Sequence, residues 1–192
     1  MIKSNTMLGA ALFAIAAAGL ATPALAASHR EAMPVMVGGA AMLPTKDIID
    51  NAVNSKDHTT LVAAVKAAGL VDTLKGAGPF TVFAPTNAAF AKLPAGTVDT
   101  LLMPANKSTL ASVLTYHVVA GKMNAMDIAK AIKTGGGKAV LTTVQGGKLT
   151  ASMMGKVLML TDAKGGTSHV TIGDVNQSNG VIHVVDTVLM PK

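Results

Sequence analysis

Phe80-Thr81-Val82-Phe83-Ala84-Pro85-Thr86-Asn87-Ala88-Ala89-Phe90 is the run that decides how this chain folds. Its first five residues follow Pro79 and are β-favouring without a polar alternation. A strand with one wet face would alternate, so this one is expected to be buried on both faces. Pro85 ends the strand, and Thr86 is placed to cap a helix. Phe90 then falls at the fourth helical position, where it can pack back on Pro85. Phe80, Phe83 and Phe90 are three of only five aromatic residues in the chain. Its few large rings therefore gather at one strand-to-helix corner.

Upstream of this corner the pattern is helical. Thr45 is the expected cap of an apolar stripe at Ile48, Ile49, Ala52 and Val53. Thr59–Ala68 carries Leu61, Val62, Val65 and Ala68 on one side and stops at Gly69. Leu70–Leu74 adds one more turn. Downstream, Val98–Leu102, Lys107–Thr115 and Met126–Lys133 read as further helices, the last capped by Asn124. From Ala139 the period changes to two, and five strands are expected at Ala139–Thr143, Lys148–Ser152, Val157–Thr161, His169–Gly173 and Val181–Val185. Gly and Asn between them supply the positive φ that hairpin turns need. Helices first and a meander last predict an α+β domain.

Composition sets the limits. The 192 residues are 50% apolar, with 12 Met, 19 Gly, no Trp and no Cys. One domain is the natural prior, with a core of Ala, Val, Leu, Ile and Met. Without Cys the chain has no disulfide, no thiol nucleophile and no Cys-ligated zinc or iron–sulfur cluster. Residues 1–26 have the form of a secretory signal: Lys3, an apolar run from Met7 to Leu20, then Pro23 and Ala24-Leu25-Ala26. Residues 27–43 read as a linker and 44–191 as the folded domain. No later window is long and apolar enough for a transmembrane span. The expected location is extracytoplasmic, secreted or periplasmic. The net charge is +6, yet the lysines are dispersed and Arg30 is the one arginine. With few rings to stack on bases, nucleic acid is not an expected partner.

Catalytic equipment is sparse. Gly137-Lys138 and Gly147-Lys148 lack the upstream Gly and the Ser or Thr of a phosphate loop. There is no Gly-x-Ser-x-Gly elbow and no His-Glu-x-x-His helix. Glu31 is the one glutamate, and no spacing pairs two of Asp99, Asp127, Asp162, Asp174 and Asp186. No enzyme activity and no cofactor are expected. Cleavage after Ala26 would start the chain Ala27-Ser28-His29, a terminus suited to Cu²⁺ or Ni²⁺. His29, Met33, Met36 and Met42 are weak candidates for Cu⁺. His117 and His183 sit in apolar runs, where a histidine is usually a hydrogen-bonded core residue.

Three blocks carry a resemblance. Phe80–Phe90 resembles the first signature of fasciclin domains, and Asn179–Pro191 resembles the second. Leu114–Gly121, with Tyr116-His117, is similar to the central block of the same family. The resemblance covers about Pro44 to Pro191 and departs at Ala88, where the family often carries an acidic residue. It implies an α+β fold, a fasciclin-like β-sandwich or wedge of about seven strands with several covering helices. It also implies a non-catalytic extracellular module for cell adhesion or surface association. In animal members an Asp-Ile dipeptide and a Tyr-His segment take part in integrin recognition. Asp174-Val175 and Tyr116-His117 occupy those places here and are the candidate partner-binding residues. Phe80, Phe83, Thr86, Asn87, Phe90, His183 and Asp186 are the expected structural signature. The partner expected is a protein or polysaccharide on a cell surface or matrix, with weak self-association besides. The alternative is an envelope protein that binds a small ligand, lipid or copper.

Overall fold

The computed structural model describes residues 34–192. The expected signal at 1–26, and the candidates His29 and Met33, lie outside the described residues. Val35–Val37 (β1) and Ala40–Met42 (β2) form a hairpin, followed by helices Ile48–Ala52 (α1), Thr59–Ala68 (α2) and Val71–Lys75 (α3). The strand Phe80–Pro85 (β3) leads into Asn87–Ala91 (α4), Thr97–Leu102 (α5) and Lys107–Tyr116 (α6). Val118–Ala120 (β4) and Ala125–Thr134 (α7) come next. The chain then runs through strands Lys138–Thr142 (β5), Lys148–Met154 (β6), Val157–Thr161 (β7), Thr167–Gln177 (β8) and Gly180–Val185 (β9).

Seven strands form one sheet in the order β4-β3-β9-β8-β7-β6-β5. Its two ends approach each other: Val119 bridges Thr143, and the Val144 N–H donates to the Val118 carbonyl at 2.7 Å. The sheet is therefore a nearly closed wedge. All its pairings are antiparallel except one: β3 runs parallel to β9, with Phe83 opposite His183 and Val82 opposite Ile182. The first and second signatures are thus neighbouring strands inside the sheet, each paired on both sides.

That position explains why both runs are continuously apolar. Val82 and Ala84 of β3, with Ile182 and Val184 of β9, pack under the helices with Leu61, Val65, Leu110 and Leu114. Phe83 and Val185 point the other way, into a second cluster with Tyr116, Ile128, Leu149, Leu160 and Leu189. A strand that serves two cores has no face left for polar residues. Close packing also fixes Gly180, where a Cβ would overlap the Phe80 carbonyl oxygen.

Three expectations shift. The segment expected as a linker is, over 35–42, the β1–β2 hairpin, and its Val37 and Met42 are buried in the helical core. Gly38 and Gly39 make its turn, both at positive φ. Met42 is accordingly closed to metal, whereas Met36 on the same hairpin is exposed. The first helix is capped by Asp47 rather than Thr45, because the Asp47 carboxylate accepts the Asp50 N–H at 2.7 Å. Finally, β8 continues four residues past Gly173, through an irregularity in its pairing with β9.

Candidate functional site

The polar residues of the three sequence blocks meet around the β3–β9 pair. Thr86 caps α4 as expected, its hydroxyl accepting the Ala89 N–H at 3.2 Å. Asn87 does work that the sequence did not announce. Its carbonyl oxygen accepts the Thr60 N–H at 3.0 Å and the Thr59 hydroxyl at 3.2 Å, while its amide donates to the Lys56 carbonyl at 2.8 Å. His58, at the cap position of α2, makes no side-chain cap bond. Asn87 therefore caps α2 from another part of the chain and ties the signature corner to the helical layer. Asn87→Ala is expected to cost about 1–2 kcal/mol of stability. Urea melts read it directly, and Asn87→Asp, which keeps the acceptor, is expected to lose less.

Tyr116 and His117 close the wedge. The Tyr116 hydroxyl donates to the Lys148 carbonyl at 2.7 Å and accepts the Ala163 N–H at 3.0 Å, so it clamps β6 to the β7–β8 turn. Burial pushes the phenol's pKa up. The His117 ring receives the Leu189 N–H on Nε2 at 2.9 Å, which leaves Nδ1 as the nitrogen that donates to the Val113 carbonyl at 2.8 Å. Desolvation pulls its pKa down to about 4, so the ring is neutral at pH 7.

His183 has the opposite tautomer. Its Nδ1 accepts the Asp174 N–H at 3.3 Å, so Nε2 donates to the Met123 carbonyl at 2.9 Å. Burial again lowers the pKa. The ring stacks on Phe83 with centroids 5.6 Å apart. Asp186 is pushed up by partial burial. Its bonds from the His169 N–H and the Thr187 hydroxyl, with the Lys92 ammonium nearby, outweigh that and hold it at about 2.

The expected partner-binding residues are placed unequally. Tyr116, His117 and Val175 are buried, so a partner meeting the folded surface touches none of their side chains. Asp174 is half-buried at a φ of 59°, and its carboxylate accepts the Ala125 N–H at 2.6 Å at the start of α7. Asp162 is a turn residue rather than a partner in an acid–base pair. It organises its turn by accepting the N–H groups of Lys164 and Gly166, and it holds the C-terminal segment through the Met190 N–H at 2.9 Å. Its spacing to Gly165-Gly166 was the available signal.

Chemically the arrangement is closed. Both signature imidazoles have each ring nitrogen committed to a backbone group, which leaves neither nitrogen free for proton transfer. Among the described residues no three His, Asp or Glu side chains gather in a form that could hold a metal ion. An apolar cavity lies between α1, α2 and β3, with the His58 Nε2 at its wall lacking a hydrogen-bond partner. Its volume is only ≈ 40 Å³, room for little more than water.

A nearly closed seven-stranded wedge, with helices packed on its parallel β3–β9 pair, defines a fasciclin-type domain. The sequence agrees: residues 56–191 match the family model of the fasciclin domain, and the chain belongs to that family. It is 43% identical to Protein sll1483 of Synechocystis sp. over 176 residues, covering 91% of this chain and 90% of that one. It is 37% identical over 163 residues to the cell surface glycolipoprotein MPB83 of Mycobacterium bovis, covering 82% of this chain and 66% of that protein. Its fold matches the solved FAS1 domain pair of the insect cell adhesion molecule fasciclin I. The TM-score is 0.68 at 19% identity, over 77% of this chain and 52% of that one. The chain thus spans about half of that solved pair. Among the described residues no helix is long and apolar enough to cross a membrane.

Proposed function

We propose that this chain is a non-catalytic fasciclin-domain protein that works outside the cytoplasm, secreted or periplasmic, and mediates adhesion or association with a cell surface. The observation that carries the reading is the closure just described. Thr86, Asn87, Tyr116, His117 and His183 direct their polar groups to backbone inside the domain. Residues so engaged hold a scaffold and leave the outer surface to meet a partner. Two similar proteins, one a cell surface glycolipoprotein and one a cell adhesion molecule, agree with this use. The partner is a protein or polysaccharide of a surface or matrix. In this reading Tyr116, His117 and Val175 support the binding surface, and Asp174 is the member of that set nearest to it.

Ligand carriage is the weaker reading. Small-molecule sites usually enclose about 300–1,000 Å³, several times the apolar cavity under α1 and α2. A clean deletion tests the adhesive role. Attachment to glass, polystyrene and matrix-coated surfaces is expected to fall and to return with the wild-type copy. Unchanged attachment on every surface would overturn it.

A further inference from the structure

The tip of the β6–β7 hairpin breaks the pattern of the strand that leads to it. Along β6, Leu149 and Ala151 point into the core and are fully buried, so Met153 should follow them; instead it is 40% exposed. Met154, on the opposite face, is 54% exposed, and Val157 across the turn is 40% exposed. Apolar side chains on both faces at once mean that the hairpin overhangs the core. Val140 on the neighbouring β5 adds a side chain that is 61% exposed.

Lysines dominate the charge around this tip, with Asp127 the one acid lining the neighbouring cleft. From Ile128 to Thr161 the chain carries five lysines and not one Asp or Glu. Lys156 sits in the hairpin turn itself, and Lys138 pairs in register with Ser152. Lys130 borders the same cleft between α7 and β5 as Lys138 and Val140. All three lysines are exposed, and among the described residues none is paired with a carboxylate.

We propose that this tip is a docking surface for an anionic lipid bilayer. Met153, Met154 and Val157 enter the boundary between headgroups and acyl chains, and the lysines meet the lipid phosphates. Their methylene stems tolerate the apolar side of that boundary. A soluble polyanion would satisfy the lysines and leave the methionines in water. A second copy of the tip would set lysine against lysine. A bilayer carrying negative headgroups satisfies both features together.

Flotation with vesicles of phosphatidylglycerol and phosphatidylcholine, against phosphatidylcholine alone, tests this. The protein is exported from an expression host and its N-terminus read by intact mass. Binding is expected to the anionic vesicles at low salt and to fade as salt rises. Met154→Asp and Lys156→Glu should each weaken it about tenfold or more, with thermal melts unchanged. Met103→Asp, at an exposed methionine on the helical side, should leave binding intact. No binding to anionic vesicles at low salt would overturn the proposal. So would binding that survives Met154→Asp undiminished, since that describes simple adsorption of a polyanion-binding surface.

Discussion

Phe83→Ala is expected to lower the unfolding free energy by about 3–5 kcal/mol. The ring is wholly buried, and its cluster is otherwise built from Ala, Val, Ile and Leu around Tyr116. Truncation to Ala removes most of the ring's volume from this packed cluster, and a cavity adds to the lost burial. The ring also stacks on a neighbour, and its backbone is held from both sides, which keeps the position in place when the ring is removed. The ring supports the His183 imidazole by stacking, the Phe83 N–H donates to the His117 carbonyl at 2.9 Å, and β3 pairs with β9 there. Phe90→Ala, which opens the helical core, should fall in the same range, and Phe83→Leu should cost less because volume is largely kept. Urea titrations of the three variants measure these differences. A loss below about 1 kcal/mol for Phe83→Ala would mean that the ring is peripheral.

Acid is expected to unfold the domain through its histidines before its carboxylates. In the unfolded chain His117 protonates at its ordinary value of 6.5, whereas in the fold desolvation holds it at about 4. The folded state therefore binds fewer protons in this window. Its stability is complete above pH 6.5 and is lost as pH falls towards 4. That interval corresponds to on the order of 3 kcal/mol from His117 alone. His58 and His183, also lowered by burial, act in the same direction. Burial is the main cause at His117, and a second ring proton would also face the Leu189 N–H across 2.9 Å, donor against donor. Asp186, held at about 2, contributes stability that is fully present above its unfolded value of 3.8 and is lost only as pH falls below it. Guanidinium melts at pH 7.5 and 4.5 check this; a stability that stays level between them contradicts it.

Much of the fold was legible because it is encoded locally. Thr59–Ala68 and Val157–Thr161 are found at the expected bounds. The Thr86 cap needs only Pro85 before it and an apolar helix start after it. The three blocks likewise pointed to the family that residues 56–191 match. What stayed hidden depends on partners distant in the chain. Nothing near Val82 announces a parallel neighbour at Ile182, and nothing near Asn87 announces that it caps the helix beginning at Thr59. The β1–β2 hairpin was masked by its own turn, since Gly38-Gly39 between small residues reads equally as a spacer.

The candidate site was legible in composition and less so in role. His183 behaves as its apolar run suggested, buried and bonded on both nitrogens. Tyr116 and His117 were singled out as partner-binding residues by resemblance. Their neighbours Leu114, Val118 and Val119 are the physical sign that the pair faces inward, and all three are buried with it. Asp174 is harder to read. Its positive φ and its bond to the Ala125 N–H arise from the irregular pairing of β8, which no short window contains.

The signature histidines are neutral struts in the wedge, each ring nitrogen bonded to backbone. The most direct measurement is a nitrogen-15 NMR titration of the imidazole rings in the folded protein. The account predicts that His117 carries its proton on Nδ1 and His183 on Nε2, with His117 staying neutral until about pH 4. A His117 ring that titrates near 6.5, or that exchanges freely between tautomers at neutral pH, would contradict it.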